Sequence, residues 1–330
     1  MTVLVTGGAG YIGSHMTLAL RDAGEAVIVL DNLSTGFRRA VAPGAALVVG
    51  DVGDLDLVRA IIRRQKVEAI VHFAGSIVVP ESVADPLGYY LNNTVKSRAL
   101  IEAAVSCGVQ KMIFSSTAAV YGNPVENPVS ETSALVPVSP YGASKLMTEI
   151  MLADVARAHD FRYVALRYFN VAGADPAGRS GQSTPRATHL IKVACETALG
   201  QRTHMEVFGT DYPTPDGTCI RDYIHVSDLI SAHMAALAYL RDGGKSDVFN
   251  CGYTRGFSVL EVVDAVRRAS GTNFEARLSD RRPGDPAAIV AASTKIRETL
   301  GWKPAYDDLD TIVRHALAWE RANASFRMAC

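Results

Sequence analysis

The chain has 330 residues, a formal net charge of −1 at pH 7 and 48% hydrophobic residues. This length and composition are sufficient for a sizeable hydrophobic core in one large or two modest domains. The near-neutral charge argues against a surface that binds polyanions, so we expect no nucleic-acid partner.

The cysteines and the apolar stretches restrict the class of protein further. Five cysteines are scattered along the chain with no metal-ligand spacing, so we expect free thiols and no metal site. The first predicted strand begins at Thr2, which leaves no room for a signal peptide, and no apolar stretch approaches the length of a membrane span. The sequence therefore predicts a cytoplasmic protein with no membrane partner.

The start of the chain predicts a strand, a glycine-rich turn and a helix. A short apolar run at residues 3–5 is followed by three glycines and then by an amphipathic run. Gly7 can form the tight turn, Gly10 lets the backbone approach a pyrophosphate, and Gly13 lets the helix lie close to the sheet. This context predicts a dinucleotide site with the pyrophosphate at the helix N-terminus.

Asp31 indicates which dinucleotide is bound. It ends a second apolar run and lies 18 residues after Gly13. A carboxylate at this place accepts hydrogen bonds from the adenosine ribose hydroxyls and repels a 2′-phosphate, which favours NAD over NADP. The alternative is that Asp31 only ends a strand.

Strands alternate with helices in the first half of the chain, which predicts parallel βαβ units in an α/β, Rossmann-type doubly wound sheet. Strands are predicted at 27–30, 46–50, 69–74, 111–115 and 163–169, and helices at 55–65, 86–107 and 141–160.

The pattern changes after residue 172. Residues 173–186 and 209–219 are typical of loops, helices are predicted at 188–199, 228–240, 258–270 and 309–323, and a short strand at 248–250. We predict an NAD-binding domain at 1–172 and a smaller C-terminal α/β lobe at 173–330, with residues of about 220–255 returning in part to the main sheet. The cleft between them, at the carboxyl ends of the parallel strands, is the expected ligand site.

Tyr141 and Lys145 are candidate catalytic residues. They are four residues apart on a predicted helix and therefore project from one face. A nearby ammonium and the positive ring of an oxidised nicotinamide favour the phenolate, although lowering a tyrosine pKa from about 10 to about 7 needs roughly 4 kcal/mol. Such a phenolate can remove a proton from a substrate hydroxyl. The alternative is an ordinary surface pair.

Thr117 is the candidate third partner. It follows the strand predicted at 111–115, so its hydroxyl emerges at the carboxyl edge of the sheet. From there it can hydrogen-bond the reacting oxygen and relay its proton to Tyr141. The alternative is a serine/threonine cluster that caps local backbone.

These three stretches, residues 6–13, 115–117 and 141–145, resemble the extended short-chain dehydrogenase/reductase superfamily. Within it the chain resembles the UDP-galactose 4-epimerase family from residue 2 to about 320. The stretches at 221–226 and 281–285 are the most specific, because they belong to the half that binds the nucleotide sugar.

The resemblance implies a chemistry without net oxidation. NAD stays bound, Tyr141 and Thr117 take the proton from the sugar C4 hydroxyl as hydride leaves, and the transient 4-keto sugar turns over before hydride returns. UDP-glucose and UDP-galactose are thereby interconverted. The resemblance also implies a homodimer.

The same resemblance assigns residues to each role. The catalytic residues are Tyr141, Lys145 and Thr117. The NAD site contains Gly7, Gly10, Tyr11, Ile12, Gly13, Asp31, Asn32, Ser34, Gly36, Asp51, Val52, Phe73, Ala74, Gly75, Asn93, Ser115, Tyr141, Lys145 and Phe169. The UDP-sugar site contains Thr117, Tyr141, Asn170, His189, Leu190, Phe208, Arg221, Arg282 and Asp285.

Four positions depart from the family pattern. Ile77 replaces a lysine near the cofactor, His189 replaces an asparagine before Leu190, and Thr117 replaces a serine but keeps the hydroxyl. Ile289 stands where a smaller residue admits N-acetylated sugars, so we expect unacetylated substrates. For His189 a surface helix position is the alternative.

Other functions remain open at this point. A 4,6-dehydratase would need an acid/base pair after Thr117, where this chain has two alanines at 118 and 119. A UDP-glucuronate 4-epimerase would need a pocket for the sugar carboxylate. A non-catalytic NAD-binding protein would not need Tyr141 and Lys145, and an ordinary dehydrogenase would exchange NAD at each turnover.

Overall fold

The computed structural model describes residues 1–184, 187–282 and 285–328, with side chains up to residue 323. The strands are β1 (Thr2–Thr6), β2 (Ala26–Asp31), β3 (Ala46–Val49), β4 (Val67–His72), β5 (Lys111–Ser115), β6 (Arg162–Tyr168), β7 (Asn170–Ala172), β8 (Met205–Phe208), β9 (Ile220–Arg221), β10 (Tyr223–His225), β11 (Asp247–Cys251), β12 (Phe257–Ser258), β13 (Ala276–Ser279) and β14 (Ala288–Ile289). The α-helices are α1 (Tyr11–Asp22), α2 (Leu55–Gln65), α3 (Val79–Ala84), α4 (Pro86–Tyr89), α5 (Lys96–Ser106), α6 (Pro140–Ala158), α7 (Leu190–Ala198), α8 (Val226–Arg241), α9 (Val259–Ser270), α10 (Thr294–Leu300) and α11 (Leu309–Met328).

The main sheet has seven parallel strands in the order β3-β2-β1-β4-β5-β6-β11. The predicted α/β, doubly wound Rossmann-type fold is confirmed. The strand order reverses beside β1, where Thr6 pairs with Leu30 of β2 and with His72 of β4. Ligands of such sheets bind in the crevice at this reversal, outside the carboxyl ends of the strands.

β11 joins the far edge of the main sheet by pairing in parallel with β6, as in Phe249 opposite Leu166. The predicted strand at 248–250 therefore does return to this sheet. The remaining strands form small sheets, β10-β7, β12-β9-β14 and β13-β8, on the C-terminal side of the chain. The domain boundary at residue 172 stays a prediction.

Both faces of the main sheet are buried, which explains why its strands are continuously apolar. Along β1, Val3 and Val5 face the core formed with α1 and α8, whereas Leu4 faces the core formed with α2, α5 and α6. Across the described part of the chain, no helix is long and apolar enough to span a bilayer.

The structure differs from the sequence expectation in one long helix. The segment predicted as one helix at 86–107 consists of α4, a π-helix at Tyr90–Val95 and α5. The wide turns place the buried Asn93 against the loop that follows β4. β3 was predicted at 46–50. α3 and the short strands β7, β8, β9, β10, β12, β13 and β14 were not located from the sequence, because tertiary pairing rather than local pattern defines elements this short.

Candidate active site

The glycine turn between β1 and α1 is packed too closely for larger residues. Gly7 has a φ of +71°, and a Cβ added there would lie 2.6 Å from the backbone nitrogen of Ala74. A Cβ at Gly13 would lie 2.2 Å from the carbonyl oxygen of Gly7. These two positions hold the turn against both α1 and the loop after β4.

The N-terminus of α1 fits a bound pyrophosphate. Gly10 is the N-cap residue and provides no side-chain cap for the first turn, and a Cβ added there would meet only the Gly7 carbonyl oxygen, at 3.3 Å. The first N–H groups of a helix have no partner within the helix and carry partial positive charge. The residues present therefore fit the diphosphate of a dinucleotide.

Asp31 links the glycine turn to the loop after β2. Its carboxylate accepts hydrogen bonds from the backbone N–H of Ala9 (2.9 Å) and of Leu33 (2.8 Å). Asp31 thus ends β2 and also orders local backbone, and each of its carboxylate oxygens still has a lone pair for a ribose hydroxyl, so its cofactor role stays a prediction. In the same loop Asn32 and Ser34 are exposed, and Gly36 lies against Ala9.

Asp51 follows β3 and forms an ion pair with Lys96 at 2.5 Å. It also accepts a hydrogen bond from the N–H of Gly53. Burial acts to raise the pKa of Asp51, but the hydrogen bonds from Lys96 and Gly53 outweigh it and lower this pKa. Asp51 therefore stays anionic at neutral pH, and the adjacent Val52 is buried.

The loop after β4 forms the opposite wall of the crevice. Asn93 accepts from the N–H of Ser76 (2.7 Å) and donates to the Ser76 carbonyl and the Ser144 hydroxyl. A Cβ at Gly75 would lie 3.0 Å from the Asn93 amide oxygen and 3.5 Å from Nζ of Lys145. The loop that contains Phe73, Ala74 and Gly75 therefore runs beside Lys145 of α6.

The three candidate catalytic residues meet at the carboxyl edge of β5. α6 begins at Pro140, with the Ser139 side chain accepting from the N–H of Gly142. From this helix Lys145 donates from Nζ to the Ser115 carbonyl oxygen at 3.0 Å, and Tyr141 lies close enough to Thr117 for that hydroxyl to lower the Tyr141 pKa.

The electrostatics of Tyr141 differ from the sequence expectation. Burial raises its pKa, and the hydrogen bond with Thr117 lowers it by less. Burial also lowers the pKa of Lys145 to about 8. The protein's own groups therefore move the Tyr141 pKa away from neutrality, and a phenolate at pH 7 stays a proposal.

Sequence reasoning missed a buried ion pair behind these residues. Arg167 donates to both carboxylate oxygens of Glu149, from Nε at 3.0 Å and from Nη2 at 2.6 Å. Glu149 also accepts from the Ser116 hydroxyl, and Arg167 donates to the Tyr121 hydroxyl at 2.9 Å. The sequence offered one indication of this pair, namely that Glu149 lies four residues after Lys145 and therefore on the same helix face.

Three predicted substrate residues line one small cavity between β7 and α7, namely Asn170, His189 and Leu190. His189 is the N-cap residue of α7, and its Nδ1 lies 2.8 Å from Nε2 of Gln182. Burial lowers the pKa of His189. The residue is half-buried at the end of α7 and lines this cavity, and its contact with a nucleotide sugar stays a prediction.

The remaining predicted substrate residues form two pairs. The Arg282 guanidinium lies over the Phe208 ring at 3.7 Å. Arg221 donates to the carbonyls of Ile220 and Pro286 and lies 3.6 Å from the Asp285 carboxylate. Residues 283 and 284, part of the quoted 281–285 stretch, lie outside the described residues.

Other predicted positions are distributed around the same crevice. The Tyr11 hydroxyl donates to the Gly173 carbonyl at 2.7 Å, which ties the start of α1 to the loop after β7. Ile12 packs partly buried against the main core. Phe169 and Ile289 pack with Val120 beside the Thr117 segment, whereas Ile77 is 48% exposed.

Residues 3–252 match the model of the NAD dependent epimerase/dehydratase family. The chain belongs to this family. It is 59% identical to a UDP-glucose 4-epimerase of Azospirillum brasilense over 97% of this chain and 92% of the relative. It is 48% identical to a UDP-glucose 4-epimerase of Lacticaseibacillus casei over 97% of this chain and 96% of that protein.

Solved structures of the family are also similar. A UDP-glucose 4-epimerase from Brucella ovis in complex with NAD is 45% identical, with a TM-score of 0.94, over 96% of this chain and 97% of that one. An enzyme of the same name from Bifidobacterium longum, in complex with NAD+ and UDP, is 37% identical, with a TM-score of 0.93, over 98% and 99%. Both of these structures thus contain the dinucleotide, and the second also contains UDP.

Proposed function

We propose that the protein is an NAD-dependent UDP-glucose 4-epimerase that interconverts UDP-glucose and UDP-galactose through a transient 4-keto sugar. The observation that carries the proposal is the meeting of Tyr141, Lys145 and Thr117 at the carboxyl edge of β5. The names of relatives that match nearly the whole chain support the substrate class.

NAD, when bound, supplies a hydride acceptor and donor. The glycine turn and the first turn of α1 would hold its diphosphate, and Asp31 would hold the adenosine ribose. The wall formed by residues 73–75 would lie beside the nicotinamide end, next to Lys145.

Proton handling falls to Tyr141 and Thr117. The Tyr141 hydroxyl would take the proton of the sugar C4 hydroxyl, with Thr117 hydrogen-bonding the same oxygen. Lys145, held by the Ser115 carbonyl, places a positive charge in a buried site, where it acts on a phenolate more strongly than in water. The two alanines after Thr117 offer no acid/base group for the dehydration of a 4,6-dehydratase.

The nucleotide would be held firmly and the sugar loosely, so that the ketone can turn over. Arg221 and Arg282 suit a diphosphate, since guanidinium groups pair with its oxygens bidentately. Arg221 is held by two carbonyls and by the nearby Asp285, which fixes its direction. Asn170, His189 and Leu190 would form a further part of the nucleotide-sugar site.

The test is to incubate the purified protein with UDP-galactose without added NAD and to separate the UDP-sugars by chromatography. We expect UDP-glucose to form, NAD to be released on denaturation, and Tyr141→Phe to reduce kcat by at least about 1,000-fold. Full turnover by Tyr141→Phe would return a non-catalytic or different role to consideration. Conversion of UDP-glucuronate but not UDP-galactose would replace the proposed substrate.

We further propose a homodimer formed through α4, the π-helix and α6. Leu87, Leu91 and Val95 are exposed by 78%, 53% and 52% and recur every four residues, and α6 adds Met147 and Ile150, exposed by 43% and 53%. Because α6 packs against α4 and the π-helix, these exposed apolar side chains lie on neighbouring helices, a pattern that marks a protein–protein interface.

Light scattering after size exclusion tests the dimer. We expect twice the mass of one chain for the wild type and for Val125→Arg, which changes a fully exposed valine away from this face. Leu91→Arg should give the mass of one chain. A dimer that persists in Leu91→Arg and in Leu91→Arg/Met147→Arg would overturn this interface.

We also propose a cytoplasmic location. Among the described residues, Cys107, Cys195, Cys219 and Cys251 are free thiols, which suits a reducing compartment. Cell fractionation with detection of the protein by antibody tests this, and recovery in the membrane or secreted fraction would contradict it.

A further inference from the structure

A buried network of Ser116, Glu149, Arg167 and Tyr121 lies behind the proposed catalytic residues. The sequence alone assigns these residues no role in the reaction. Three side chains of one face of α6 lie against three consecutive residues, Ser115 at the end of β5 and the two residues that follow it. Lys145 donates to the Ser115 carbonyl, Glu149 accepts from the Ser116 hydroxyl, and Tyr141 lies close enough to Thr117 for that hydroxyl to lower its pKa. The helix and the segment therefore meet along two helical turns.

The Glu149–Arg167 pair contacts residues on both sides of Thr117, at positions 116 and 121. At residue 116 the contact is the Ser116 hydroxyl on Glu149, and at residue 121 it is the Tyr121 hydroxyl on Arg167. Tyr121 in turn donates to the Asn250 side chain of β11 at 2.7 Å. Thr117 lies between these two attachments.

The pair is rigid because it is desolvated and fully engaged. The side chains of Arg167 and Glu149 are 4% and 5% exposed. Two parallel hydrogen bonds fix the planar guanidinium against the carboxylate, and a buried charge that loses its partner is strongly disfavoured. Small displacements of α6 relative to β6 are therefore resisted at this point.

We propose that Glu149 and Ser116 are positioning residues that hold the Thr117 hydroxyl beside Tyr141. The inference rests on the proposed function, because that function gives the Thr117–Tyr141 pair its task. Neither residue needs to touch substrate. They act by fixing the segment at 115–117 on the same helix face that carries the base.

Ser116→Ala is the sharpest test, since it removes one hydroxyl and leaves the Glu149–Arg167 pair intact. We expect kcat for UDP-galactose to fall about 10-fold with KM unchanged, because misplacement of a reacting group affects the chemical step. The acidic limb of the kcat–pH profile should move to higher pH, because weakening the Thr117 hydrogen bond raises the pKa of the base. Ser116→Thr restores the hydroxyl and should recover most of kcat.

Thr148→Val is the matched control. It removes a buried hydroxyl from the residue before Glu149 on α6, where the partners are the carbonyl oxygens of Ser144 and Asn93 and not residues 115–117. We expect its kcat to remain within about twofold of the wild type. Thermal unfolding of each variant separates loss of folded protein from loss of kcat.

Phenolate absorbance provides a readout that does not depend on turnover. The titration of Tyr141 is obtained as the difference between a protein and its Tyr141→Phe form. In Ser116→Ala this pKa should rise by about 0.5 to 1. If the wild type does not interconvert UDP-sugars, the proposed function fails and this titration alone decides the positioning role. An unchanged titration, or an unchanged kcat and pH profile, overturns the inference.

Discussion

Nζ of Lys145 lies 3.0 Å from the carbonyl oxygen of Ser115, to which it donates a hydrogen bond in a fully buried position. This contact joins α6 to the end of β5, two residues before Thr117. Burial lowers the pKa of Lys145 to about 8, so its ammonium form is present below that pH and is lost above it.

Removal of this ammonium should remove most of the activity. For Lys145→Met we expect kcat to fall by about 100-fold or more, because the proposed phenolate of Tyr141 loses a buried cation on the same helix face. In the wild type kcat should decline as the pH rises through about 8, and Lys145→Met should lack this alkaline limb. Measurements of kcat between about pH 6 and pH 10 check both statements. A wild-type kcat that stays constant across that range would contradict the assignment.

The glycine turn allows fold and cofactor binding to be separated. Gly10→Ala should leave thermal stability nearly unchanged, because the added Cβ would meet only the Gly7 carbonyl oxygen at 3.3 Å, and should reduce the NAD content of the purified protein, because Gly10 caps the helix end proposed to hold the pyrophosphate. Gly7→Ala should reduce stability by about 1–3 kcal/mol, because a positive φ and a close contact coincide there. Gly24→Ala is the control, with a φ of +77° and no atom within 4 Å of the added Cβ. Equal destabilisation by Gly7→Ala and Gly24→Ala would contradict the contact argument.

The Glu149–Arg167 pair should behave as a unit in unfolding experiments. Arg167→Met leaves the Glu149 carboxylate buried without its main partner and should cost roughly 3–5 kcal/mol. The double variant Glu149→Met/Arg167→Met should be more stable than Arg167→Met, because it leaves no buried charge. Urea unfolding at pH 7 measures the cycle. Additive losses from the two substitutions would show that the pair does not couple.

Three buried histidines predict loss of stability in acid. Burial lowers the pKa of His72 and of His225 to about 3, with help from the charges of Lys145 and His315 respectively, and lowers that of His233 to about 4. Their ordinary value in the unfolded chain is about 6.5. Below that pH the unfolded state binds more protons, so each histidine contributes stability that is present above about 6.5 and is lost at about 1.4 kcal/mol per pH unit as the pH falls toward its folded value.

In His233→Leu the free energy of unfolding should fall less steeply with decreasing pH, because one of the three histidines no longer contributes. The His233 ring packs against Phe73 at 4.9 Å, so leucine fills part of its space without a titrating group. Unfolding free energies at about pH 5 and pH 7 provide the comparison. A stability difference between the two pH values that is the same in His233→Leu and the wild type would exclude His233 as a contributor.

Substrate size should depend on Ile289. This side chain is 7% exposed and packs with Ala118, Val120 and Tyr121 beside the Thr117 segment. Ile289→Ser opens this place, and we expect kcat/KM for UDP-N-acetylglucosamine to rise about 10-fold relative to the wild type, the order expected when pocket volume limits a substrate. Initial rates of the wild type and Ile289→Ser with UDP-N-acetylglucosamine and with UDP-galactose test this. If the ratio of the two kcat/KM values is the same in both proteins, Ile289 does not limit substrate size.

The glycine spacing, Asp31 and the Tyr141–Lys145 spacing were sufficient to predict the cofactor class, the doubly wound sheet and the helix face of the proposed catalytic pair. These features are local, because each depends on periodicity or on a few residues near one another in sequence. The long strands and helices were predictable for the same reason, since both buried faces of the sheet impose an apolar run on each strand.

Tertiary structure alone decided the Ser116–Glu149–Arg167 network, the π-helix that places Asn93 and the direction of the Tyr141 pKa. The contacts of the network and of the π-helix join residues distant in sequence. Glu149 and Arg167 are 18 positions apart, and Ser76 and Asn93 are 17 positions apart. The pKa of a phenol depends on how much water the fold removes from it, and burial here outweighs the hydrogen bond from Thr117. A sequence specifies which groups are available, but the free energy of a buried charge is set by the neighbours that the fold assembles around it.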